Sequence, residues 1–356
     1  MPCRGGGRPG PDGKDGDRAR LAGRSGPRRT GAVRGPRGGA AGHRARLQTA
    51  TVSRAPARLV QARVGSRLGM ADRTSRTARR VFKRTVPGPL HDERSWAFHL
   101  GPGGRDLVLG IEWLREAFLL REPGYPSGIT VPTIVDIPTG HVVTNGFERI
   151  TLDLGSRWAA HQRDGAPDLC PERWRDEIED VADKVYRDVN DGVYRCGFAG
   201  GRQAYDEAYR RLWERLDWLE ERLAGRRYLV GDTVTEADVR LFPTLVRFDA
   251  VYHGHFTCNR QKLTELPALW ACARDLFQTP GFGETIDFAQ IKAHYYVVHH
   301  DINPTGTVPR GPDTRGWLSP HGREELGGNP FGDGTPPGPP PPSERVPPLG
   351  STTVDV

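Results

Sequence analysis

The charge of this 356-residue chain reverses near residue 90, and that break decides how much of it can fold. Residues 1–90 carry 22 Lys and Arg against four Asp and no Glu, a balance of +18. Residues 91–356 carry 29 basic and 40 acidic side chains, a balance of −11. The net charge of +7 averages two unlike pieces, so an inference from a basic protein to a nucleic-acid partner applies only to the first. That piece has no Ile, Asn, Glu, Trp or Tyr and one Phe, Phe82, while Arg, Gly, Ala and Pro dominate. Such a composition buries too little apolar surface to offset chain entropy, and disorder is expected over 1–90. With 46 Arg against 5 Lys in the whole chain, translation out of frame from GC-rich DNA is favoured over a basic arm for RNA or lipid. No run of 18 residues lacks charge, so no membrane-spanning helix is expected. The start carries no secretory signal pattern, which makes the cytoplasm the expected compartment. Cys3, Cys170, Cys196, Cys258 and Cys272 stand singly, which argues against a disulfide framework and a thiolate zinc site.

From His91 onward the pattern becomes globular. Residues 111–120 (IEWLREAFLL) predict a helix, 129–136 (ITVPTIVD) a strand, Pro138 to Gly140 a turn, 141–144 (HVVT) a return strand and 145–156 another helix. That order is the second half of a thioredoxin-like domain, in which the Val131 to Pro132 step is where a cis bond is expected. Residues 157–170 read as a linker, and helices follow to about 300. Trp174, Ile178, Val181, Val185 and Val189 form one helix face. Tyr205, Tyr209, Leu212, Leu216, Leu219 and Leu223 form another, stopped at Gly225. In VTEADV, Thr235 and Asp238 are expected to cap each other's N–H groups, with Val234 stapled to Val239. Pro243 should kink the helix that follows, and a further helix is expected from Pro267 to Pro280. Eight prolines between Pro336 and Pro348 predict a solvated polyproline tail, with no fold over 310–356.

A thioredoxin-like half followed by an all-helical half is the arrangement of soluble glutathione transferases. NDGVYRCGFAGGRQAYDEAY, the run DAVYHGHF, and HYY followed by INPTG resemble glutathionyl-hydroquinone reductases, the Xi class of those enzymes, over about residues 91–313. The fold class expected is therefore α/β plus all-α. Residues 91–157 supply an incomplete thioredoxin-like domain and 158–309 the helical domain, flanked by disordered segments at 1–90 and 310–356. The resemblance implies a thiol exchange. A cysteine in a C-P-W-A motif at a helix N-terminus attacks the sulfur of a glutathionyl-hydroquinone, and a second glutathione then reduces the mixed disulfide. This sequence has no C-P-W-A. The only thiol before residue 91 is Cys3, and loss of two strands and a helix is expected there, leaving an exposed sheet edge.

By the same resemblance Trp96 packs near glutathione, and the backbone of Val131, before Pro132, pairs with its cysteinyl part. The Glu-Ser pair that anchors the γ-glutamyl group aligns with Gly146 and Phe147, beside Asn145. Glutathione or another low-molecular-weight thiol such as mycothiol is the implied cosubstrate. Tyr194, Tyr252 and Tyr295 match the tyrosines that hydrogen-bond a quinone-like aromatic substrate, a task suited to phenols. A homodimer is implied, and no nucleic-acid or membrane partner. His253, His255, His294, His299 and His300 lack carboxylate or thiolate partners at a metal-binding spacing, so no metal is expected. Cys196 reads as a buried inert thiol rather than a substitute nucleophile. The alternative function is a catalytically silent binding or dimerisation protein.

Overall fold

The computed structural model describes residues 50–53, 82–84, 91–99, 101–126, 128–158, 161–340 and 345–349. The chain runs through β1 (Ala50–Ser53), β2 (Phe82–Arg84), the two-residue strands β3 (His91–Asp92) and β4 (Ser95–Trp96), β5 (Thr133–Asp136) and β6 (Val142–Thr144). Four of these make one sheet in the order β2-β1-β5-β6. β1 is parallel to β2, with Thr51 beside Lys83, and antiparallel to β5, with Thr51 opposite Val135. The expected loss of two strands is thereby corrected. Residues 50–53 and 82–84 occupy the missing strand positions, because main-chain groups along β5 need partners whatever side chains the pairing segment carries. The rest of the expected disorder over 1–90, and the lost helix, lie outside the described residues.

One face of this sheet is covered by α1 (Leu114–Arg121), whose Leu114, Ala117 and Phe118 are buried at helical spacing. They pack with Trp96, Phe98, Val131, Val135 and Val142 in one core. Behind β6, α2 (Phe147–Gly155) docks the sheet on the helical half. Thr151 donates to the buried Glu236 carboxylate, and Arg240 donates to that carboxylate at 3.1 Å and to the Glu148 carbonyl at 2.8 Å.

The helical half comprises α3 (Arg175–Val185), α4 (Gly192–Gly197), α5 (Arg202–Ala224), α6 (Glu236–Arg247), α7 (Pro267–Gln278) and α8 (Phe288–Val298). Ile178, Val181 and Val185 of α3 and Leu212, Leu216, Leu219 and Leu223 of α5 are buried in its core, the faces that periodicity marks. Trp174 lies before α3, half-buried, with its ring filling the space over Gly231. α6 passes through Pro243 to Arg247 and widens into a π-helical turn over Phe248–Tyr252. Among the described residues no helix is long and apolar enough to cross a membrane.

α6 starts on a buried polar knot. Asp238 accepts from the N–H of Thr235 at 2.9 Å, from its hydroxyl at 2.9 Å and from the N–H of Leu229 at 2.8 Å. Burial pushes its carboxyl up to about 6, against the pull of those hydrogen bonds. A carboxyl raised on folding binds its proton more tightly in the native state. Its contribution is therefore complete below about pH 4, the unfolded value, and falls as pH rises through about 6, by roughly 3 kcal/mol in all. The stability difference between wild type and Asp238→Ala, followed by urea unfolding from pH 4 to 7, should shrink as pH rises. A difference that is flat or grows sinks this assignment.

The tail is corrected as well. Instead of a solvated end, residues 310–340 lie along the helical half, with short 3-10 turns at Arg315–Leu318 and Arg323–Leu326. Trp317 and Phe331 are buried in the main core. Thr335 is bonded to the Gly165 carbonyl through its N–H at 2.8 Å and to Arg163 Nη1 through its hydroxyl at 2.9 Å. Low-complexity composition weakens a segment that must fold alone, but a few large anchors suffice where a finished core offers a groove.

Candidate functional site

Three tyrosines from three elements converge. Tyr194 is on α4, Tyr252 ends the π-helical turn and Tyr295 is on α8. The hydroxyl of Tyr295 lies 2.6 Å from that of Tyr194 and 2.8 Å from that of Tyr252, so the three oxygens form a continuous hydrogen-bonded chain centred on Tyr295. Tyr252 and Tyr295 are each 1% exposed, whereas Tyr194 is half-buried. Burial raises the phenols of Tyr252 and Tyr295 well above their ordinary value, so both are neutral donors. Phe256 lies against Tyr194 and Tyr252, with ring centroids 5.3 and 5.5 Å away, and Phe198, 52% exposed, stacks on Tyr194 at 6.4 Å. The result is a cluster of aromatic rings packed around three linked hydroxyls.

The sheet half reaches the same place. Ser95 has φ +108°, an uncommon conformation for a residue with a side chain, costing ~1–3 kcal/mol, and its hydroxyl accepts the N–H of Arg115 at 3.0 Å. The strained step delivers Trp96 onto His294, with centroids 4.9 Å apart and rings nearly parallel, and His294 is the neighbour of Tyr295. Val131 is buried in the core that contains Trp96, and the Val131 to Pro132 bond is cis. Thr235 and Asp238, expected to be structural, sit at the start of α6 and belong to the knot described above.

A thiol tripeptide meets a mixed set of partners here. The segment before β5 is intact, but Gly146 is the N-cap of α2 with no side-chain cap and its N–H already bonds Thr144 Oγ1 at 3.0 Å. Asn145 is turned inward, donating to Thr130 Oγ1 at 3.0 Å. Positions 146 and 147, Gly and Phe, carry neither a carboxylate nor a hydroxyl. Among the described residues the four cysteines, Cys170, Cys196, Cys258 and Cys272, are all free and buried. Burial raises the thiols of Cys170 and Cys272, and a hydrogen bond from Cys196 together with burial raises that of Cys258.

Sequence reasoning missed several residues around the tyrosines. His255 Nε2 lies 3.1 Å from His299 Nδ1, and burial pulls His299 down to about 4, so this imidazole is neutral above that pH. Spacing along the chain gives no sign of this imidazole pair, which joins the end of α8 to the segment after the π-helical turn. Among the described residues no three metal-ligating side chains come together. Arg247, at the end of α6, is buried in a helix whose every residue is buried, so no periodic pattern marks it in the sequence.

Residues 202–271 match the glutathione S-transferase C-terminal domain. The glutathionyl-hydroquinone reductase PcpF of Sphingobium chlorophenolicum is 42% identical over 223 residues, 62% of this chain and 70% of that protein. A crystal structure of a glutathione transferase from Gordonia bronchialis superposes with a TM-score of 0.79 at 60% identity, covering 84% of this chain and 91% of that one. The glutathione-bound structure of YqjG, a glutathione transferase homologue from Escherichia coli, gives 0.70 at 33% identity, over 77% and 88%. With identity of this order over most of each relative's length, and a shared two-part fold, the chain belongs to the glutathionyl-hydroquinone reductase family, the Xi class of glutathione transferases.

Proposed function

We propose that this chain binds a glutathionyl-hydroquinone or related quinone-derived aromatic, its ring among Tyr194, Tyr252 and Tyr295 and its thiol portion along Val131 and Trp96. The reaction served is thiol-dependent release of the hydroquinone. The thiolate of a low-molecular-weight thiol attacks the glutathionyl sulfur, a sulfur–sulfur bond forms as the sulfur–carbon bond breaks, and the hydroquinone carbon leaves with the electron pair and takes up a proton, releasing a low-molecular-weight disulfide. The observation that carries the reading is the hydroxyl chain centred on Tyr295, which offers phenolic donors and acceptors inside an aromatic wall. Glutathione or another low-molecular-weight thiol is the cosubstrate. The departure at Gly146 and Phe147 favours a thiol held without the Glu-Ser anchor.

A second reading, a binding protein without turnover, is favoured by one specific observation. The family's C-P-W-A cysteine is absent from the sequence, and burial raises the thiols of Cys170 and Cys272. Incubation of the purified full chain with glutathionyl-menadiol and glutathione separates the two. Glutathione disulfide formed above the uncatalysed rate, and cut about tenfold by Tyr252→Phe through loss of one hydroxyl, supports the reductase. A folded chain that shows no turnover, yet melts higher with hydroquinone and not with thiol, supports the binding protein.

A further inference from the structure

A second polar contact lies beside the tyrosine chain. His255 Nε2 is 3.1 Å from His299 Nδ1. His299 caps α8 one turn beyond Tyr295, and His255 follows the π-helical turn that ends at Tyr252, its N–H donating to the Val251 carbonyl at 2.7 Å. The imidazole bond therefore ties together the two elements whose hydroxyls meet at 2.8 Å. Rings crowd it on several sides. The centroid of His299 is 5.0 Å from Phe198, 5.5 Å from Tyr295 and 5.6 Å from Phe256, and that of His255, a residue 7% exposed, is 4.5 Å from Tyr296.

A hydrogen bond between two imidazole nitrogens needs one N–H and one bare lone pair. One added proton can go to an outer nitrogen with the bond kept, but a second fills both facing nitrogens and sets two cations against each other. The titratable groups that face the pair supply no negative charge. They are Tyr295 and Tyr296 of α8, whose phenols burial raises, His294 of α8, its ring 6.0 Å from His299 and stacked on Trp96, and His91 of β3, 5.7 Å from His294. Among the described residues no carboxylate acts on either imidazole, and burial lowers both. We propose that His255 and His299 are positioning residues, their bond a latch that fixes Tyr252 against Tyr295, and that acid releases the latch and loosens the site. The inference rests on the reading of the tyrosine site given above and adds a control to it. Because both imidazoles are lowered, the latch is whole at neutral pH and is lost as pH falls through about 4.

The test is calorimetric binding of hydroquinone, whose phenols stay neutral in this range, to the full chain from neutral pH down past pH 4, with helix content followed by circular dichroism. Wild-type affinity should fall roughly tenfold across that step while the helices persist. His255→Leu should start about tenfold weaker at neutral pH and show no step. His255→Gln, whose amide can donate or accept at the place of Nε2, should rescue the neutral-pH affinity and remove the step, since its oxygen still accepts from a protonated His299. A flat wild-type profile, a loss of affinity that tracks loss of helix, or a step that survives His255→Gln overturns the proposal. The wild-type and His255→Gln profiles decide even if His255→Leu does not fold. In those cases the reading of the site stands, provided that Tyr295→Phe weakens binding at neutral pH. Absence of hydroquinone binding, or binding indifferent to Tyr295→Phe, overturns both.

Discussion

Tyr295→Phe should lower affinity for a hydroquinone by roughly 10- to 100-fold and destabilise the free protein, more than the same change at Tyr194 or Tyr252. The ring and its wall remain, so the effect isolates one oxygen. That oxygen is bonded to both neighbours, at 2.6 and 2.8 Å, and its removal leaves the Tyr252 hydroxyl, at 1% exposure, without the partner it has here. An orphaned buried hydroxyl costs ~1–3 kcal/mol. Tyr194→Phe removes an end of the chain and leaves the link between Tyr252 and Tyr295 intact. Binding isotherms and urea unfolding of the two single variants and the double variant check this, because members of one hydrogen-bonded chain should couple by more than about 0.5 kcal/mol. Equal and additive effects would show three independent core tyrosines rather than a connected site.

Trp317→Ala should cost ~3–5 kcal/mol, a large share of the stability of an ordinary domain. Trp317 is buried with its ring 4.8 Å from Trp270, 5.1 Å from Phe277 and 5.8 Å from Phe288. Phe288 begins the helix that carries Tyr295, so the loss should also weaken hydroquinone-induced stabilisation. Arg323 reinforces the same strap. Its Nη2 donates to the carbonyls of Leu223 at 3.1 Å, of Arg227 at 3.0 Å and, more closely, of Arg226, gathering oxygens that the end of α5 leaves unpaired. Arg323→Met is therefore expected to lose ~1–3 kcal/mol. If urea unfolding of Trp317→Ala shows less than about 1 kcal/mol lost, the strap is an ornament of the fold and its coupling to the site fails.

Local pattern carried much of this protein into view. Leu212, Leu216, Leu219 and Leu223 recur at the period of a helix, and all four are buried on one face. The pairing of Thr235 with Asp238 is three residues long and needs no knowledge of distant chain. Motif resemblance then named Tyr194, Tyr252 and Tyr295, which stand together although 101 residues separate the first from the last.

Other features had no local signal. The burial of Trp317 depends on a groove between α7 and α8 that exists only after those helices pack, and the proline content of the tail points the other way. The strand at 50–53 carries strand-favouring Thr51 and Val52, but its place in the sheet is decided by the open hydrogen-bonding edge of β5. Sequence alone established the helical faces and the cap at Thr235 and Asp238, because periodicity and short-range hydrogen bonding are properties of neighbouring residues. Tertiary structure alone decided the docked tail, the paired edge and the burial of Arg247, because burial belongs to the surroundings that distant segments create.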